Sequence, residues 1–348
     1  MSWQNIRGHD TVVEHFRRLI GSGRLPHAML FVGPPSIGKS TFTRALARAL
    51  LCSENPPELL NPCGQCPSCR QVDVETHPDL IIVRRPEEKQ VIPVDTIRDE
   101  VCAKLSLKPM MGKNRVAIVE DADHLNEESS NAFLKTLEEP GPGSVLLLIG
   151  TSPDNQLDTI VSRCQVVKFQ PLSVDDIESI LIEKQLVTST DEARRLADVA
   201  EGSIARALAL ADQTYRSLFE IVISELAETT NPVAPSIAKQ MEDHIKNCNK
   251  ETPIQRRRAI LLIEDISRFF REVLWAGAGL ASPGGDTSRD RFARSMAQHC
   301  EPEDIFILAD RTMLAISQIQ SNGNMGLVLS AWAADVCHTL HQAAMATK

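Results

Sequence analysis

No long hydrophobic run occurs in this 348-residue sequence. Its longest apolar stretches, such as Val145 to Ile149, fall far short of the ~20 residues a membrane helix needs, and the opening MSWQNIRGHD has no apolar signal core. Excess positive charge is missing too. The net charge of −9 opposes a broad electrostatic grip on DNA, because nonspecific affinity comes from lysines and arginines neutralising phosphates. Internal repeats and low-complexity tracts are absent as well. These absences exclude a helical membrane span and point to a cytoplasmic protein that leaves any DNA to its partners. What is present is ordinary: 43% hydrophobic and 24% charged residues suit a soluble globular chain. The length exceeds the ~250–300 residues at which one hydrophobic core stops growing, so two or three domains are expected. Nine cysteines in a cytosolic chain should remain thiols, which leaves metal binding or simple burial as their uses.

The first 170 residues alternate short apolar runs with segments of helical period, the pattern of parallel strands joined by crossover helices. Strands are expected at Ala28 to Val32, Asp79 to Val83, Arg115 to Val119, Val145 to Gly150 and Gln165 to Phe169. Val12, Val13, Phe16, Leu19 and Ile20 share one helical face, as do Phe42, Ala45, Leu46, Ala49 and Leu50, so two helices can cover the sheet. After Pro171 the strand signals stop. Ser173 with Asp176 resembles a capping box, and helices fit Asp191 to Glu201 and Ser203 to Asp212. From about Tyr215 the chain reads as longer helices, broken by TTNPVAPS near Pro232 and GAGLASPGGDTS around Pro283.

GPPSIGKS, comprising Gly33, Pro34, Pro35, Ser36, Ile37, Gly38, Lys39 and Ser40, fits G-x-x-x-x-G-K-[ST] between the apolar strand AMLFV and an amphipathic helix that continues through Thr41. The glycines let successive N–H groups and the helix N-terminus face phosphates, Lys39 reaches the β- and γ-phosphates, and Ser40 reaches Mg²⁺. ATP and Mg²⁺ are therefore the expected ligands. RVAIVEDADHL places Glu120 and Asp121 at the end of another strand. Most such ATPases carry an Asp that holds the metal, followed by a Glu that polarises the attacking water; here the order is exchanged. Asp121 would stop ~1.5 Å short, and misplacement by ~1 Å costs on the order of 100-fold in rate, so binding is expected to survive while hydrolysis suffers. The alternative is a merely solvated strand end.

Cys63, Cys66 and Cys69 form C-x2-C-x2-C, with Cys52 eleven residues earlier. Four thiolates suit a tetrahedral Zn²⁺ site with tight turns at Gly64 and Pro67. His77 is an alternative fourth ligand to Cys52. Cys102, Cys164, Cys248, Cys300 and Cys337 lack ligand spacing and read as small buried hydrophobes.

The chain resembles the AAA+ clamp-loader subunits of bacterial DNA polymerase III, in the delta-prime and gamma/tau group. The resemblance rests on WQNIRGHDTVVEHFRRLIGSGRLPHAMLFVGPPSIGKS, the cysteine knuckle after the phosphate-loop helix, LNEESSNAFLKTLEEPGP, VSRC and, more weakly, SNGNMGLVLSAW. It implies an α/β nucleotide-binding domain over 1–170 with a zinc knuckle at 52–69, a helical lid over 171–213 and an all-α collar over 214–348. It further implies a role in ATP-dependent loading of a ring-shaped sliding clamp onto primed DNA, beside gamma/tau-type and delta-type subunits. In this family the SRC arginine, here Arg163, reaches the ATP of a neighbouring subunit; the competing assignment is an intramolecular salt bridge. Thr151 matches the first sensor position, or is only a strand-ending hydroxyl. Arg206, one place later than in the gamma-type motif, is the candidate second sensor. The absence of an extension beyond about residue 345 favours delta-prime over tau, while the intact phosphate loop keeps a gamma-like motor open. A self-contained P-loop enzyme such as a nucleotide kinase, and a stator that binds no nucleotide, are the rivals from other classes.

Overall fold

The computed structural model describes residues 6–86, 89–228, 232–280 and 287–346. The break expected around Pro283 and part of that near Pro232 lie outside them. The chain divides into two compact units, Met1–Lys184 with Glu201–Ala205, and Gln185–Ala200 with Arg206–Lys348. Of the expected lid, the helix following Ser173 falls in the first unit and the rest mostly in the second.

The first unit is built on five strands, β1 (Ala28–Val32), β2 (Leu80–Val83), β3 (Arg115–Val119), β4 (Ser144–Ile149) and β5 (Gln165–Lys168). They pair in parallel in the order β2-β3-β4-β1-β5, with Met29 opposite both Leu147 and Gln165. All five expected strands are present within a residue or so at each end. Burial on both faces follows from the alternation of side chains along each strand. Met29, Phe31, Ile118, Leu147 and Ile149 enter one core, and Leu30, Val32, Ala117, Leu146 and Leu148 enter the other. Helices α1 (Asp10–Gly21) and α2 (Lys39–Leu51) cover the first face with Phe16, Ile20, Phe42 and Leu46; α3 (Pro67–Asp73) follows α2. The opposite face is covered by a π-helical segment (Thr96–Cys102) running into α4 (Ala103–Leu105), and by α5 (Glu127–Glu138) and α6 (Asp158–Val161).

Helix starts follow local chemistry. Asn126 caps α5 by accepting from the Ser129 N–H at 2.9 Å, and Ser173 and Asp176 form the capping box that opens α7 (Val174–Glu183). The second unit contains α8 (Thr190–Ala200), α9 (Ile204–Ala211, whose first two residues belong to the first unit), α10 (Gln213–Glu228), α11 (Ala234–Cys248), α12 (Thr252–Gly277), α13 (Thr287–Ala297), α14 (Pro302–Gln320) and α15 (Met325–Ala346). The long α12 packs against α10, α11, α13 and α14 through Leu262, Ile266, Phe269 and Phe270. Among the described residues no helix is long and apolar enough to cross a membrane.

One buried ion pair fastens β2 to β3. Asp79 Oδ1 accepts from Arg115 Nε and Nη2 at 3.0 and 2.8 Å, and the Asp79 carboxylate also accepts from the Met110 and Met111 N–H groups at 2.8 Å. Burial works to raise the Asp79 pKa, but the two amides and Arg115 outweigh it and hold the carboxyl below its ordinary value. Asp79→Ala is expected to destabilise the chain by about 3–5 kcal/mol in urea unfolding, because it strands a buried guanidinium. Joint replacement, Asp79→Leu with Arg115→Met, should cost less than the single change; a double variant as unstable as the single one would discard this account.

Candidate functional site

Three neighbouring parallel strands end on the same edge of the sheet, and each delivers one part of the site. β1 runs into the phosphate loop. Gly33 has φ +148°, and a Cβ there would lie 2.4 Å from the Phe169 carbonyl oxygen, so only glycine lets the backbone pass. Gly38, at φ +102°, turns the chain into α2 in the left-handed region. The loop is braced from outside: the Gly33 N–H donates to the Thr151 carbonyl at 2.9 Å, the Ile204 N–H donates to the Ser36 carbonyl at 2.9 Å, and the buried His9 ring meets the Ile37 carbonyl through Nε2 at 2.8 Å. Lys39 donates to the Gly33 and Pro34 carbonyls, both at 2.6 Å, so its ammonium curls over the loop where phosphates would lie. Burial pushes the Lys39 pKa down from 10.5 to about 8, opposed by the charge of Asp123. Ser40 and Thr41 follow in the first turn of α2, where N–H groups lack helical partners.

β4 ends beside this loop and delivers Thr151. The Thr151 N–H and Oγ1 donate to Asp123 Oδ2 at 2.8 and 2.6 Å, Gln156 Nε2 donates to Asp123 Oδ1 at 2.9 Å, and Asn155 Nδ2 donates to Thr151 Oγ1 at 2.9 Å. Asp123 is thus the acid that fixes the expected sensor threonine and faces the loop lysine. Sequence reasoning missed it. Its only signal is an acid two residues beyond the acidic pair, in EDAD, and no spacing rule marks that position.

β3 ends in the pair itself. Asp121 is exposed and left-handed, at φ +57°, and opens a 3₁₀ turn (Ala122–His124). Glu120 is partly buried and ion-paired with Arg44 at 3.1 Å and Arg84 at 3.0 Å.

Arg163 stands elsewhere. It precedes β5 by two residues, and the register sets Gln165 opposite Met29, so Arg163 lies at the amino end of β1 while the phosphate loop leaves the carboxyl end. Four residues of strand, roughly 13 Å, separate Met29 from Gly33. There Arg163 donates from Nη2 to Glu138 at 2.6 Å, and the His27 ring reaches the Leu137 carbonyl at 2.8 Å. Both Arg163 and Glu138 are substantially exposed, and such a pair contributes only ~0–1 kcal/mol, so it leaves the guanidinium available to a stronger anion. Arg206 lies in the second unit, 2% exposed and ion-paired with Asp265, which also accepts from the Tyr215 hydroxyl at 2.7 Å.

At the far end of α2 the four cysteines converge, their sulfurs all within 4.8 Å of one another. Cys52 Sγ and Cys66 Sγ are 4.0 Å apart, close to the roughly 3.8 Å edge of a tetrahedron with ~2.3 Å zinc–sulfur bonds. N–H groups of Asn55, Cys66 and Cys69 point at the sulfurs of Cys52, Cys63 and Cys66 at 3.3 Å. Cys52 completes the set. His77 is outside it, with Nδ1 accepting from the Asp79 N–H at 3.0 Å.

Because the loop lysine titrates near 8, nucleotide affinity is expected to decline as pH rises through about 8 rather than above 10. Lys39→Arg should bind more weakly at neutral pH but keep its affinity at alkaline pH, since guanidinium stays charged. Titration of the chain with a fluorescent ATP analogue across this range checks it, and a wild-type profile flat to pH 10 would sink it.

Residues 8–173 match the model of the family described as DNA polymerase III, delta subunit. The chain is 32% identical over 220 residues to DNA polymerase III subunit tau of Escherichia coli, a match covering 62% of this chain and 33% of that one. Against subunit delta' of Bacillus subtilis it is 32% identical over 213 residues, covering 60% and 61%. Against subunit tau of Bacillus subtilis it is 23% identical over 357 residues, covering 98% and 62%. The chain therefore spans between a third and somewhat over three fifths of the length of these relatives. Every strand of the sheet lies within residues 8–173, so the part of the chain that matches this family's model is the module that builds the site, and over part of its length the chain is similar to subunits tau and delta' of DNA polymerase III.

Proposed function

We propose that this chain works as one subunit of a clamp loader, binding ATP at the loop Gly33 to Thr41 with Lys39 and the amides from Ser36 onward, and offering Arg163 to the nucleotide of a neighbouring subunit. The observation that carries this reading is the separation just described. An arginine at the amino end of β1 cannot reach phosphates bound past its carboxyl end, whereas a surface guanidinium whose ion pair is with an exposed glutamate, and which otherwise donates to the Thr159 carbonyl and the Ser162 hydroxyl, can meet those of another chain. A planar, permanently charged fork suits that task. A self-contained enzyme would need its cation at its own loop.

In this reading Thr151, set by Asp123, faces the nucleotide, while Asp121 is too short to polarise water well, so the isolated chain turns ATP over slowly. The delta-prime role follows from that, with the gamma/tau-like motor as its alternative. Arg206, the candidate second sensor, has its charge paired with Asp265 within the second unit. Residues 1–170 serve as the nucleotide-binding part, 171–213 as its lid and 214–348 as the collar that joins gamma/tau-type and delta-type subunits. The sliding clamp and primed DNA are met through the assembly, as suits a chain of net charge −9.

Cys52, Cys63, Cys66 and Cys69 would hold one structural Zn²⁺. Elemental analysis of protein purified in reducing, chelator-free buffer should find one zinc per chain. Cys66→Ser should lower that content and loosen the segment from Cys52 to Arg70 toward proteases while nucleotide binding persists. Metal-free, fully ordered protein would remove zinc from the account.

Arg163→Ala should leave folding and ATP binding of the isolated chain intact. In the reconstituted assembly it should slow the partner's hydrolysis, by less than the ~10³–10⁵ that arginine fingers contribute, since one interface among several is lost. Arg163→Lys should restore only part of the rate, since it keeps the charge without the fork. If the alanine variant unfolds, or clamp loading and hydrolysis are unchanged, Arg163 is a structural residue only.

A further inference from the structure

Glu120 follows β3 at the place where P-loop ATPases keep the acid that holds Mg²⁺ through water. Both of its carboxylate oxygens are already paired with arginine. Oε1 accepts from Arg44 Nη2 at 3.1 Å and Oε2 accepts from Arg84 Nε at 3.0 Å. The same two guanidinium groups also grip Glu75, Arg44 at 3.2 Å and Arg84 at 2.6 Å. Two arginines and two glutamates thus form a closed, neutral ring drawn from four elements: α2, the end of β2, the end of β3 and the turn after α3. Glu75 is held in the left-handed region at φ +59°, with its N–H on the Val72 carbonyl at 3.1 Å, so its side chain is aimed by the backbone. Glu120 is the most sheltered of the four, its side chain 15% exposed against 33–44% for its partners.

Position along α2 makes the arrangement consequential. Arg44 is four residues beyond Ser40, so both lie on one helical face, and the guanidinium reaches Glu120 from one turn below the hydroxyl expected on the metal. A dication entering there meets a fixed cation and an acid already neutralised.

We infer that Arg44 and Arg84 are positioning residues that withdraw Glu120 from metal binding, leaving a phosphate loop that holds ATP through Lys39 and backbone amides with little help from Mg²⁺. This rests on the proposed nucleotide reading. Burial alone would work against Arg84, yet its hydrogen bond to Glu75 leads the effects that keep its charge more firmly than usual, and the Glu75 carboxyl is correspondingly held down by Arg84. Arg84 and Glu75 thus hold each other charged, and their pairing closes one side of the ring.

The test is the ratio of ATP affinities of the full chain in Mg²⁺ and in EDTA, read by calorimetry. In wild type the ratio should stay within a few fold of one, and Glu120→Gln should leave that ratio where it was. Arg44→Gln with Arg84→Gln unmasks the carboxylate and should raise the ratio about tenfold or more, as expected for an unpaired charge ~4–6 Å from its partner. Adding Glu120→Gln to that pair should abolish the gain. Should the double variant fail to fold, wild type and Glu120→Gln alone decide. A wild-type ratio of tenfold or more that Glu120→Gln removes overturns the inference while leaving the nucleotide reading intact. Absence of ATP binding in both buffers overturns the nucleotide reading, and this inference with it.

Discussion

A phosphate loop must fold six residues into a curl with its amides facing inward, and that curl holds only if the strand before it and the helix after it cannot move. Four of the ten phenylalanines are assigned to this. Phe16 on α1, Phe31 on β1, Phe42 in the first turn of α2 and Phe169 just after β5 lie in edge-on or tilted contact at centroid separations of 5.1–5.8 Å. His9 adds its ring to Phe169 at 4.9 Å and touches the loop itself through Ile37. Edge-to-face aromatic pairs favour definite angles and add about 0.5–1.5 kcal/mol each beyond burial. The cluster thereby sets the distance between β1 and β5 that brings the Phe169 carbonyl against Gly33.

From that anchored start, α2 becomes the member on which the rest of the first unit hangs. Its successive turns present Lys39 to the Gly33 and Pro34 carbonyls of the loop, Arg44 to Glu75 and Glu120, Arg48 to Asp73 and the Gly64 carbonyl at 3.0 and 3.2 Å, and Cys52 to the sulfur cluster at its end. Arg44, Arg48 and Cys52 recur at intervals of four, which keeps them on one face. The knuckle and the acid strand are thus clasped to the same helix that opens with Lys39, so the cysteine cluster and the ion pairs of Glu120 belong to a single packed assembly.

Legibility in the sequence varied with the range of the interaction concerned. The phosphate loop, the strand ends and the Ser173–Asp176 box are set by neighbours a few positions apart, so spacing alone identified them. Cys63, Cys66 and Cys69 were legible for the same reason, whereas the choice of Cys52 over His77 awaited the fold, which turns the His77 ring toward the backbone of Asp79. Asp123 and the π-helical segment Thr96–Cys102 left no local signature. Asp123 is defined by Thr151, twenty-eight residues away and on another strand. Of the residues expected in the lid, Thr190–Ala200 fall in the second unit and Glu201–Ala205 in the first, a grouping set by contacts between distant segments.

By itself the sequence determined the periodicities, the turns and the chemistry available: a lysine and glycines at phosphate-loop spacing, four thiols at ligand spacing, two acids after an apolar strand, an arginine in SRC. Those follow from repeat lengths of the chain, about 3.6 residues in a helix and two in a strand, and need no partner element. Which charges meet was decided only by tertiary structure. The order β2-β3-β4-β1-β5 brings the end of β2 beside that of β3, so Arg84 finds Glu120; it sets β4 between β1 and β3, so Thr151 and Asp123 stand next to the loop; and the β1–β5 register carries Arg163 to the opposite end of the sheet. Side chains dozens of residues apart become neighbours through strand order and register, and an interaction between them has no period for a sequence to display.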